Sequence, residues 1–217
     1  MIEQLSEYKF KRISTEAFKN GLRLHFDSIL LFNNDSFPSA FQLSVLSLEE
    51  FSKSNWVEHY YWTSKTNNGF PEKEFEQKWL KMLYFHSDKQ NAFFGWGMIY
   101  DYSPKFVEFV KERGLERKKQ IATYVGLDRN RNGIDVNSRI SLPFSITEKD
   151  SKQLISLISD YLKDICNRKF AQEYYFNIDE KNELITTKLI SKLNGWKFKS
   201  GIKSNKWFKE WTKKSSS

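Results

Sequence analysis

Ser36-Phe37-Pro38-Ser39-Ala40-Phe41-Gln42-Leu43-Ser44-Val45-Leu46-Ser47-Leu48-Glu49-Glu50-Phe51-Ser52-Lys53 reads as the opening of a long helix. Ser36 is a capping residue, and Pro38 falls in the first turn, where a missing N–H costs nothing. At about 100° per residue, Ala40, Ser44, Ser47 and Phe51 share one stripe. Phe41, Val45 and Leu48 flank it on one side, Leu43 and Leu46 on the other. Gln42, Glu49 and Lys53 make the one remaining polar strip, on which Glu49 and Lys53 read as an i,i+4 surface pair. Glu50 falls instead between Leu43, Leu46 and Val57, where an unpaired carboxylate is costly to bury.

The helical period extends in both directions. Upstream, Ser14 or Thr15 caps a helix that runs through Ala17, Leu22, Leu24, Phe26, Ile29 and Leu30 to Asn33-Asn34-Asp35. Downstream, the quoted helix continues to about Trp62, and a third runs from Pro71 to about Phe94. A fourth opens at Ser103-Pro104 and lasts to about Ile121, a fifth runs from Thr147 to about Phe170, and a shorter one from Asp179 to Leu193. Residues 128–143, with Gly133 and Pro143, read as a loop or short hairpin. The expectation is an all-α bundle of about five to six helices: one domain over 1–195, then a basic aromatic tail over 196–217.

Composition narrows the class. An aromatic content of 17% excludes a disordered chain, and only nine Gly and four Pro argue against a many-turned β-sandwich. The single cysteine, Cys166, excludes an intrachain disulfide framework, and three histidines make a His-rich metal site improbable, so no metal or cofactor is expected. A net charge of +8 permits a polyanionic partner without requiring one. No apolar run approaches the roughly 20 residues of a membrane span, and Met1-Ile2-Glu3-Gln4 shows no basic leader before an apolar stretch. A cytoplasmic protein without membrane contact is expected.

Three helices in succession carry polar groups on apolar faces. On the third, His86 shares a stripe with Phe75, Trp79, Met82 and Phe93, and Lys89 stands beside it. On the fourth, Arg113 and Arg117 share a face with Phe106, Val110, Ile121 and Tyr124. The plain reading is a core histidine with a satisfied ring and two arginines that snorkel to water. The sharper one is an interhelical site in which Glu50 meets at least one of His86, Lys89, Arg113 or Arg117, since acceptor-only and donor-only groups complement each other. Proximity to Glu50 would then raise the His86 pKa.

At this point the chain resembles the AbiV family of abortive-infection proteins, which belong to the helical HEPN superfamily. The resemblance rests on Phe18-Lys19-Asn20-Gly21-Leu22, on 37–53, on Phe85-His86-Ser87-Asp88-Lys89, on Arg117 to Gly126 with its Tyr124-Val125-Gly126, and on Pro143. It implies bacterial phage defence, a homodimer, and action on RNA, on the translation machinery or on a captured phage protein. The alternative is a non-catalytic RNA-binding or protein-interaction module. Many HEPN proteins are metal-independent ribonucleases with an Arg four to six residues ahead of a His. No Arg stands so before any histidine here; Lys81 precedes His86 by five and lies off the stripe. In the enzymatic version His86 is acid/base, Arg113 or Arg117 holds phosphate, and Glu50 and Lys89 orient them.

From Trp196 to Lys214 the chain has seven Lys and one Glu, interleaved with Trp196, Phe198, Trp207, Phe208 and Trp211. Lys199, Lys203, Lys206, Trp207 and Trp211 are candidate nucleic-acid contacts. The alternative is that the aromatics pack the tail onto the bundle while the lysines stay in water.

Overall fold

The computed structural model describes residues 4–67, 69–96, 102–127, 129–130, 133–170 and 178–202. Its spine is a helical hairpin of α1 (Glu7–Asn33) and α2 (Phe37–Thr66). Asp35, at φ 58°, carries the chain over, and the Ser36 N–H donates to the Leu31 carbonyl at 3.0 Å. Small residues bring the two helices close: Ser47 Oγ donates to the Gly21 carbonyl at 2.8 Å and Ser14 Oγ to that of Ser54 at 2.9 Å. A Cβ on Gly21 would stand 2.8 Å from the Phe51 ring. Ser14 and Thr15 are therefore buried inside α1 and cap nothing. The helix starts earlier, at Ser6, whose Oγ accepts the Lys9 N–H, because Phe10 has to reach Tyr60, Tyr61 and Trp79.

The stripe of Ala40, Ser44, Ser47 and Phe51 is buried as its period requires. Phe41, Val45, Leu48 and Phe51 share a core with Leu154, Leu157, Ile158 and Leu162 of α7 (Glu148–Phe170). Cys166 lies in the same core with no exposure.

Two expected helices are each broken in two. The third divides into α3 (Lys73–Met82) and α4 (His86–Trp96). Tight turns replace the α-ladder at Leu83, Tyr84 and Phe85, whose N–H groups reach back to Leu80, Lys81 and Met82. The break lets Leu83 drop into the aromatic cluster of Phe10, Tyr60 and Trp79, and it leaves Phe75 and Met82 in solvent rather than in the core. The fourth divides into α5 (Pro104–Lys111) and α6 (Gly114–Thr123), with Arg113 at φ 62° between them. Gly114 is required there, because a Cβ would fall 2.2 Å from the Phe109 ring.

Among the described residues strand is confined to β1 (Arg129–Asn130), β2 (Gly133–Ile134), a bridge between Gly126 and Ser141, and a single bridge residue at Tyr102. The 128–143 region thus holds the expected hairpin within an all-α fold. The last short helix also divides, into α8 (Asp179–Asn182) and α9 (Thr187–Asn194), the latter capped by Thr186. Trp196 packs edge-on against Phe32, and its indole N–H donates to Ser156 Oγ at 2.9 Å. Among the described residues no helix is long and apolar enough to cross a membrane.

Candidate functional site at Glu49 and His86

α2 is packed on nearly all sides: α1 and α7 cover its apolar stripes, and α4 and α6 cover the strip that reads as polar surface. Glu49 lies on that strip and is 1% exposed. It pairs not with Lys53 but with groups from α4 and α6. His86 Nδ1 stands 2.6 Å from its Oε2, and Lys89 Nζ 3.6 Å from the same oxygen. Gln90 Nε2 and Lys119 Nζ donate to Oε1 at 2.8 and 3.0 Å. Glu116 closes the circle, accepting from Lys119 at 2.7 Å, Gln90 at 3.0 Å and Gln120 at 2.9 Å.

The electrostatics are close to balanced. Two carboxylates face two ammonium groups, and the imidazole adds charge only when protonated. Burial pushes the Lys89 pKa down, and Lys53 adds to that, against the opposing pull of Glu49. Burial raises Glu116, but hydrogen bonds from Lys119 and Gln120 outweigh it and hold the carboxyl below its ordinary value.

His86 is the cluster's outlet. Its side chain is half exposed, whereas Glu49, Lys89 and Lys119 are almost sealed. An ionised carboxylate only accepts, so Nδ1 carries the proton donated to Glu49. Nε2 then carries the free lone pair, and it has no hydrogen-bond partner among the described residues. A carboxylate that fixes the tautomer of an open imidazole is the arrangement of a general acid/base. Glu49, His86 and Glu116 also bring ligand atoms within 4.8 Å of one another. A divalent cation does not fit that set as it stands, because the Lys119 ammonium already sits on both carboxylates and Lys89 on one.

The expected residues fall on both sides of this geometry. His86 and Lys89 belong to the cluster, but Glu50 does not bond it. Its carboxylate accepts from Asn20 at 3.2 Å and Lys53 at 2.8 Å, half-buried against α1, because α2 turns the neighbouring residue toward α4. Arg113 and Arg117 are exposed and bond nothing in the cluster. The break at Arg113 rotates α6 so that Glu116 and Lys119 face inward in their place. Sequence reasoning missed Glu49, Gln90, Glu116 and Lys119; the available signal was that α2 has a single polar strip, which must face something if the helix is central. Of the tail candidates, Lys199 is exposed, while Lys203, Lys206, Trp207 and Trp211 lie outside the described residues.

The chain is thus an all-helical bundle with a buried polar junction that opens through a histidine. A family model described as AbiV, of the HEPN type, matches residues 9–163, and the chain belongs to that family. No curated protein and no solved structure matches the chain.

Proposed function

We propose that the protein defends bacteria against phage by abortive infection, and that its effector site is His86 held by Glu49, acting on RNA of the infected cell. Membership of the AbiV family supports the defence role. The single observation behind the chemistry is the 2.6 Å Glu49–His86 contact on an imidazole that is half exposed. In this reading Nε2 takes the 2′-hydroxyl proton, and the buried carboxylate steadies the imidazolium that results. Tyr84 and Phe85, exposed in the turn just before His86, offer rings beside it for bases to stack on. The chain acts in the cytosol as a homodimer, whose second copy supplies the cation that no Arg near His86 provides in this one.

A specific feature favours a second, non-catalytic reading. The network behind His86 is nearly neutral and largely satisfied, and the apolar turn with Met82, Tyr84 and Phe85 is suited to capturing a phage protein or a translation component. Phage plating on cells that carry wild type, His86→Gln or the pair Tyr84→Ser/Phe85→Ser separates the two. Chemistry at His86 requires that His86→Gln abolish protection with an unchanged melting temperature. Full protection by His86→Gln, lost only in the turn variant, would transfer the function to protein capture.

A further inference from the structure

Between Leu184 and Lys209 the chain has seven lysines and no acidic residue. This segment lies beyond the stretch 9–163 that matches the family. Its described part is a fixed surface. Trp196 is 5% exposed and wedged against Phe32, Lys163 Nζ donates to the Trp196 carbonyl at 3.1 Å, and the Ile202 carbonyl accepts the Ser103 N–H at 2.8 Å.

What this anchoring displays is cationic. Lys188, Lys192, Lys197 and Lys199 are all exposed, and none has a carboxylate partner among the described residues. Lys192 rests over the Phe26 ring with its ammonium 3.9 Å from the centroid. Of the four acids of the adjoining α7, three are held by cations, Glu148 by Lys152 at 2.9 Å, Asp150 by Lys118 and Asp164 by Arg168 at 3.0 Å, while Asp160 accepts from the Ser200 hydroxyl at 3.3 Å and keeps its charge. The basic stripe of α1 differs in this respect, since Arg12 and Lys19 pair with Glu16 and Arg23 with Asp27. Between Lys197 and Lys199, Phe198 leaves 46% of its surface in water, and Lys152 stands 5.0 Å from its centroid.

We propose that residues 186–202 form a docking face for single-stranded nucleic acid, with Lys188, Lys192, Lys197 and Lys199 meeting phosphates and Phe198 giving a ring for one base. Exposed cations without carboxylate partners, spaced along one anchored segment, complement a charged backbone, and an exposed aromatic among them suits a base face. A membrane surface fits less well, because Phe198 is the one large apolar side chain exposed in this segment and offers little to insert. The face shares no residue with the His86 site.

The test uses the full chain and fluorescence anisotropy with oligouridine and oligothymidine of about 20 nucleotides over a salt series. The comparison proteins are K188Q/K192Q/K197Q/K199Q, the control K9Q/R12Q/K19Q/R23Q, which removes the same charge from α1, and Phe198→Ala. The expected result is that the first variant loses at least about tenfold in affinity at low salt and its log–log salt slope falls by roughly 3. The α1 control stays near wild type, and Phe198→Ala weakens binding with the slope unchanged. Whether RNA and DNA are bound alike tells the two sources of phosphate apart, and preference for either one supports the face. Equal losses in the two charge variants would overturn the proposal. So would equal binding of polyglutamate-coated and oligouridine-coated beads, or phosphatidylserine vesicles bound in preference to both oligonucleotides.

Discussion

Adjacent glutamates have opposite fates here, and the difference sets the first prediction. Glu49 is the buried acceptor for His86, Gln90, Lys89 and Lys119, while Glu50 keeps an edge position with Asn20 and Lys53. Glu49→Gln takes the carboxylate from the buried Lys89 ammonium and leaves Lys119 with Glu116 alone, and should cost ~3 kcal/mol in urea denaturation. Glu50→Gln should cost under ~1 kcal/mol, in line with a partly exposed pair. His25 gives a pH signature. Burial, with help from Lys163 and Lys192, pushes its pKa down to about 3, and its Nε2 lies 3.1 Å from Ser159 Oγ. The native form therefore stays neutral where the unfolded chain protonates, so this contribution is complete above the ordinary histidine range and is lost as pH falls toward 3. Stability measured at pH 7 and pH 4 should differ less in His25→Gln than in wild type. The helical wheel picked out Lys89, which is buried, and His86, which is half exposed but bonded to the cluster, and placed the carboxylate one residue too far along. A wheel gives angles, not the neighbours that cover each face, and the lid of α4 and α6 over Glu49 is a tertiary fact.

At the scale of elements, α2 and α7 were legible because their apolar period is long and their starts carry chemistry, such as Ser36-Phe37-Pro38 and Thr147 with Asp150, whereas α1 was legible in its period but not in its start, which lies a further two turns upstream at Ser6. The two breaks were not. Leu83-Tyr84-Phe85 contains neither Gly nor Pro, and the helix stops there because burying Leu83 against Trp79 and Tyr60 outweighs continuing the ladder. At the second break the left-handed residue is Arg113, with glycine only at the following position. Arg113→Gly should raise stability by up to ~1 kcal/mol, since a β-carbon is disfavoured in that conformation. Gly21→Ala should cost ~1–3 kcal/mol, because the Phe51 ring it would meet is fully buried and cannot retreat. Thermal melts of the two variants should shift in opposite directions.

For the whole molecule, the notable junction is between the spine and the C-terminal helices. Lys181 of α8 is 0% exposed; its Nζ donates to Glu58 at 2.7 Å and to Asn55 at 3.1 Å and lies 5.4 Å from the Phe18 ring centroid. Burial brings its pKa down to about 8 despite the attraction of Glu58. The unfolded chain therefore holds more protons than the native one between that value and the ordinary lysine pKa, and this residue's contribution to stability grows as pH rises through the window. Lys181→Ala should cost ~3–5 kcal/mol by taking the ammonium away from the buried Glu58 carboxylate, whereas Lys181→Met with Glu58→Leu should come close to wild type. A lone lysine in the sequence Asp179-Glu180-Lys181-Asn182 gives no sign of this, since its neighbours are all polar and only the docking of α8 hides it.

Cys166 gives this molecule a clock. It is the chain's one thiol, it has no exposed surface in the core shared by α2 and α7, and burial raises its pKa to about 11. A thiol that is both sealed and protonated is inert to alkylating reagents until the core parts. Every labelling event therefore counts one opening of the spine against α7, with no engineered probe. Mass-resolved alkylation should be slow in the wild type and faster in Glu49→Gln and Lys181→Ala in proportion to their lost stability. A phage component that binds and loosens the bundle would announce itself as an abrupt gain of one adduct per chain.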